Sequence, residues 1–147
     1  MSDLDDIYSA NILDLAANIG RVGRLKAPDA SAEAHSKLCG SKIVVDLNVT
    51  NGVVSDYAHE IKACLLGQAA AAVMARNIVG TSLNELRGIA ATMKRMLKEG
   101  GPVPEGRWAD LAALELVRDY RGRHASTLLV FDAVSRALDE VDAPAAA

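Results

Sequence analysis

The chain reads as an α+β domain in which a three-stranded antiparallel sheet packs against helices, and three observations predict it. Residues 42–50 alternate apolar and polar side chains and run into Asn51-Gly52, a strong hairpin signal. From Leu65 the chain changes to small residues, Gly67 and Ala69 to Ala72, which suit a helix lying close against a sheet. Half of the 147 residues are hydrophobic but only one Trp, three Tyr and one Phe are aromatic, so the core is built from Ala, Val, Leu and Ile. A chain of this length has room for one core. Residues 1–142 are expected to form a single domain and 143–147 a disordered tail.

At the start, Ser2 or Asp3 can cap a helix, with Asp3, Asp5 and Asp6 near its positive end. Leu4, Ile7, Tyr8, Leu15 and Ile19 recur at near-helical spacing, and the helix is expected to end between Asn18 and Gly20. Gly20 to Ala30, with its glycines, basic residues and Pro28, reads as an irregular surface linker. Residues 31–36 are expected to add the third strand. In the central strand Ile43, Val45, Leu47 and Val49 share one face, and Lys42, Asp46, Asn48 and Thr50 lie mainly on the other.

A strict two-residue loop at Asn51-Gly52 would turn Asp56 and Glu60 onto the aliphatic face. A three-residue loop with Gly52 as a bulge is therefore expected, with Val53, Ser55, Tyr57, His59 and Ile61 on that face. Gly80 ends the Ala-rich helix, and Ser82-Leu-Asn-Glu85 is a capping box that opens the next one. Lys94, Arg95 and Lys98 sit near its negative end, and Gly100-Gly101-Pro102 with Pro104 breaks it. A short helix over residues 108–114 and a last helix from about Ser126 to Val141 complete the reading.

A net charge of −3 provides no long-range attraction for nucleic acid or an anionic membrane. The acidic N-terminus is unlike a secretory signal and no apolar run approaches the ~20 residues that span a bilayer, so a cytoplasmic location is expected. No G-x-S-x-G, Walker loop, G-x-G-x-x-G or H-E-x-x-H occurs, and the chain is not read as an enzyme.

The residues able to carry chemistry are few. Cys39 precedes Gly40, where a tight turn can expose a thiol; the alternative is a buried cysteine acting as a small hydrophobe. Cys64 stands where a strand gives way to a helix, and unpaired N–H groups, the helix dipole and nearby Lys62 favour its thiolate there. Of the histidines, His59 is expected at the core edge or on the surface, and His35 lies four residues before Cys39. His124 follows Arg118, Arg121 and Arg123 at the start of the last helix, either as a ligand or as a surface histidine in a basic cluster. If Cys39, Cys64 and His124 converge, they make an S2N set suited to zinc or iron, with one tetrahedral position open.

The order helix, Asn18-Ile-Gly-x-x-Gly-x-Leu25, Cys39-Gly40, hairpin, Cys64 on an Ala-rich helix and Arg-His-Ala-Ser resembles the IscU/NifU-type iron-sulfur cluster assembly scaffolds over about residues 7–140. The long segment before the last helix, with its Gly-Pro-x-Pro, is more similar to the SufU-type branch. The resemblance implies an IscU/NifU N-terminal-like fold and a scaffold or carrier holding a transient iron-sulfur cluster or zinc. It also implies a cysteine desulfurase as sulfur donor, acceptor apo-proteins as recipients, and Cys39, Cys64 and His124 as the matching ligands.

Two departures stand out. Ser41 replaces the aspartate of Cys-Gly-Asp, and the third cysteine is replaced by Ala125 if His124 sets the register or by Ser126 if the last helix does. A homodimer pooling Cys39 and Cys64 from two subunits would restore four thiolates. The other readings are a zinc-dependent sulfur acceptor working with a desulfurase, and a metal-free interaction module of the same fold.

Overall fold

A computed structural model describes residues 10–36 and 40–142, Asp142 by its backbone alone. The expected cap at Ser2 or Asp3, the tail at 143–147 and Cys39 lie outside the described residues. In chain order come α1 (Ala10–Ala17), β1 (Ala30–Ser36), β2 (Ser41–Thr50), β3 (Val53–Lys62), α2 (Leu65–Asn77) and α3 (Leu83–Glu99). A 3-10 segment (Gly106–Asp119), a 3-10 turn (Arg121–Arg123), α4 (His124–Thr127) and α5 (Leu129–Asp142) follow. The strands form one antiparallel sheet in the order β1-β2-β3, as expected.

β1 presents Ala30, Ala32 and Ala34 opposite Leu47, Val45 and Ile43 on the inner face, while Glu33 and His35 are exposed on the other. Side chains this small leave room for α5, which packs over β1 and β2. Arg136 of α5 donates to the Glu33 carbonyl at 2.7 Å.

The hairpin differs from expectation. Asn51 and Gly52 have φ of 54° and 76°, so both adopt the left-handed conformation of a two-residue turn, and Thr50 pairs directly with Val53. The register slips further along: Val49 pairs with Val54 but Asn48 with Asp56, leaving Ser55 as the extra residue. Val54 is therefore in the core and Ser55 is exposed, while Tyr57 and His59 are buried opposite Leu47 and Val45. Asn-Gly can adopt positive φ at both positions, so the turn closes tightly. Asp56 and Glu60 are kept off the core by a bulge inside β3 instead.

Residues 20–30 form a strap across the sheet. The His59 N–H donates to the Arg21 carbonyl and the Gly23 N–H to the His59 carbonyl, at 3.0 and 2.8 Å, which covers the edge of β3. The strap then crosses the outer face over Asp46. That carboxylate is fully buried and accepts from Arg24 at 2.7 and 3.0 Å, from the Leu25 N–H at 3.0 Å and from the Ser31 hydroxyl at 2.6 Å. Burial acts to raise the Asp46 pKa, but the hydrogen bonds from Arg24, Ser31 and Leu25 outweigh it and hold the carboxyl below its ordinary value.

His59, expected at the core edge or on the surface, is fully buried under the same strap. Its Nε2 is 3.0 Å from the Gly20 carbonyl, which can only accept, so the proton sits on Nε2 and Nδ1 faces the Tyr57 hydroxyl at 3.2 Å. Burial lowers the His59 pKa, and the Gly20 hydrogen bond opposes this only in part.

α2 is buried on nearly every side, from Leu66 and Gly67 through Ala69–Ala75, and packs against α1, the 3-10 segment, α4 and α5. α3 starts as its capping box predicts: the Ser82 hydroxyl accepts from the Glu85 N–H at 3.1 Å. The Glu85 carboxylate then accepts from the Trp108 indole at 2.8 Å. Gly100 ends α3 with φ of 68°. The expected short helix at 108–114 is instead a 3-10 segment running to Asp119, and its buried Trp108, Leu111, Leu114 and Val117 recur every third residue. That spacing matches three residues per turn and not 3.6. The expected last helix is interrupted at Leu128, between α4 and α5.

Two outcomes follow for the strap. Asp46→Ala leaves the Ser31 hydroxyl and the Leu25 N–H without their acceptor and is expected to cost about 1 to 3 kcal/mol in urea unfolding. Because its folded pKa is depressed, His59 stabilises fully only above its ordinary value of about 6.5, and that contribution is lost as pH falls below it. The melting temperature is expected to drop between pH 7 and pH 5, less steeply in His59→Gln; Asp46 adds its own loss only near and below about pH 4.

Candidate functional site

Cys64 occupies the N-cap position of α2, with φ −67° and ψ 171°, and its side chain makes no capping hydrogen bond. The thiol is free and partly buried. Its Sγ lies 3.5 Å from Ser126 Oγ on α4. The Ser126 hydroxyl donates to the Arg123 carbonyl at 3.3 Å, and Thr127 donates to the same carbonyl at 2.8 Å. Ser126 thus has its proton engaged and offers lone pairs to the sulfur. Ser126 is buried facing Cys64, whereas the neighbouring Ala125 is exposed.

Gly67 makes this approach possible. A Cβ there would stand 2.9 Å from Ala63 Cβ and 3.0 Å from the Ser126 carbonyl oxygen, so only glycine lets the first turn of α2 meet α4. The signal was present in the sequence as a glycine three residues after Cys64 in a helix otherwise rich in alanine. Its partner Ser126 is 59 positions beyond it, and no local pattern joins the two.

The sheet brings other ends of the chain to the same place. Ser36 and Ser41 are buried partners at the ends of β1 and β2, and Gly40 has φ of 69°. Lys42 pairs with Lys62, and Cys64 follows two residues later. Ser36, Gly40 and Ser41 therefore stand at the end of the sheet where α2 begins. Lys62 is exposed.

His124 is buried at the start of α4, its Nε2 3.0 Å from both the Val117 and Arg118 carbonyls. Two acceptors place the proton on Nε2 and leave only Nδ1 with a lone pair. The hydrogen bonds of His124 go to these two carbonyls and that of Cys64 to Ser126. Among the described residues, no group of three or more His, Cys, Asp or Glu side chains is arranged to hold a metal.

The model of the NifU-like N-terminal domain matches residues 7–127. The chain belongs to that family. An iron-sulfur cluster assembly scaffold protein IscU from Thermotoga maritima is 27% identical over 138 residues, 94% of this chain and 96% of that one. The crystal structure of a nitrogen-fixing NifU-like protein (N-terminal) from Brucella abortus superposes with a TM-score of 0.95 at 55% identity, covering 97% of this chain and 99% of that one. A putative scaffold for the SUF system from Fervidobacterium islandicum shares the fold, with a TM-score of 0.85 at 21% identity over 92% of this chain and 99% of that one. The NifU-like fold expected from the sequence is the one observed.

In this NifU-like domain the contact at Gly67 is testable against a clear baseline. Alanine in a helix interior is ordinarily about 1 kcal/mol more favourable than glycine. Here Gly67→Ala is expected to destabilise by about 1 to 3 kcal/mol in chemical unfolding, since the clash is with backbone.

Proposed function

We propose that this chain is a non-enzymatic scaffold or carrier in iron-sulfur cluster assembly. It takes sulfur from a cysteine desulfurase, holds iron and a nascent cluster as cargo, and passes the cluster to acceptor apo-proteins. The observation that carries this reading is Cys64 at the head of α2, 3.5 Å from Ser126, in a NifU-like domain similar along nearly its whole length to an IscU scaffold.

Cys39 and Cys64 are the proposed thiolate ligands, and His124 would bind through Nδ1, its Nε2 being engaged by two carbonyls. Of Ala125 and Ser126, the two positions at which the resemblance calls for a third thiolate, Ser126 stands against Cys64, and a hydroxyl is a harder and weaker ligand for iron. Clusters are ordinarily held by four thiolates or their equivalents. One chain therefore holds its cargo loosely, and a homodimer contributing Cys39 and Cys64 from each protomer completes the set. Zinc suits the same thiolates. A reducing compartment such as the cytoplasm keeps them free.

The second reading is a metal-free interaction module of the same fold, which needs no ligand set. Anaerobic reconstitution with iron and sulfide separates the two. The wild type is expected to develop visible charge-transfer absorbance that Cys39→Ala and Cys64→Ala each lose, while Ser126→Cys retains its cluster longer against a chelator. A wild type and a Ser126→Cys variant that both stay colourless would overturn the scaffold reading.

A further inference from the structure

A cavity of about 470 Å3 opens beside α4, lined by Leu97, Lys98, Arg118, Arg121, His124 and Ala125. The site described above uses none of its three cations. In a chain of net charge −3, their grouping on one wall concentrates positive potential where the molecule as a whole repels anions. Carboxylates near two of the three cations offset it in part. Arg118 has Glu115 at 3.6 Å, and Asp132 interacts with Lys98 electrostatically. Among the described residues, Lys98 and Arg121 have no carboxylate within salt-bridge distance, although Arg21, Arg24, Arg76 and Arg87 each have one.

The wall is also held in shape. The Val117 and Arg118 carbonyls both accept from His124, the Tyr120 N–H donates to the Val117 carbonyl at 2.8 Å, and the Arg123 N–H donates to the Tyr120 carbonyl at 2.8 Å. The backbone on either side of Arg121 is therefore set by its own hydrogen bonds. Leu97 and Ala125 add apolar surface between the charges, which suits a carbon skeleton.

We propose that this cavity binds a small organic polyanion with two or more carboxylate or phosphate groups, gripped by the Arg118 and Arg121 guanidinium groups and by Lys98. Guanidinium forks pair with such oxygens two at a time, and the lysine adds a point charge. The volume suits a molecule of metabolite size. His124 of the proposed ligand set also lines this cavity, whereas the three cations that grip the polyanion belong to the cavity alone.

The test is titration calorimetry of the full chain with citrate and with pyrophosphate at low ionic strength. Saturable one-to-one binding of either probe is expected, and the preferred probe assigns the ligand to carboxylate or phosphate chemistry. Arg118→Ala and Arg121→Ala are each expected to weaken binding about tenfold. Added salt weakens it further. Cys64→Ala, which leaves the cavity wall intact, keeps the affinity. Unfolding curves of the three variants check that each is folded, and Lys98→Ala on exposed α3 surface supplies a further variant. The proposal is overturned if neither probe saturates, if the Arg118→Ala/Arg121→Ala double variant binds as the wild type does, if Cys64→Ala abolishes binding, or if only an oligonucleotide or an acidic polypeptide binds.

Discussion

The close packing around α2 is the constraint on which the rest of the molecule depends. Its buried residues are mostly alanines, so the helix gives its neighbours little side-chain volume and they must come to its backbone to fill space. Among its own residues only Leu66 and Met74 are large fully buried side chains, and neighbours such as Trp108 and Ile12 belong to the 3-10 segment and α1 that pack on it. Contact this close ties the positions of α1, the 3-10 segment, α4 and α5 to one another. It reaches its tightest point at Gly67, where helix backbone meets the Ser126 carbonyl, and that contact sets Cys64 against Ser126.

A second constraint acts on the opposite side of the sheet. β3 is an edge strand, and the outer face of β2 carries an ionised carboxylate that is fully buried. One strap answers both needs: its backbone pairs with His59 and its Arg24 and Leu25 satisfy Asp46. Tyr57, His59 and Gly20 form a hydrogen-bonded chain linking the inner face of the sheet to the strap. Buried polar groups so fully paired favour one arrangement of the strands over a register slip that would leave them unpaired.

The candidate site is assembled from ends of elements and not from their middles. The N-cap of α2, the paired ends of β1 and β2, and the first turn of α4 converge while their interiors lie in the core. Ser36, Ser41, His124 and Ser126 are buried at these ends, and Cys64 among them is partly open to solvent. The same short helix has two unlike sides: buried Ser126 faces Cys64, and exposed Ala125 lines the basic cavity.

The sequence by itself determined the strands, the helices from Leu65 and Ser82, the glycine stop at Gly100 and the alternation that sets the inner face, because these follow from local periodicity and capping; the Ala-rich helix ends at Asn77, short of the expected Gly80. The period of three in Trp108, Leu111, Leu114 and Val117 is also legible, and it makes the expected short helix a 3-10 segment. Only the tertiary structure decided that the bulge falls at Ser55, that His59 is buried, and that Ser126, with Ala125 turned outward, meets Cys64. Each of these depends on contacts between residues far apart in the chain: the strap over β3, the sheet register against α5, and the backbone contact at Gly67. Local pattern records the free energy of one segment in water, whereas such contacts depend on how two segments share the same space.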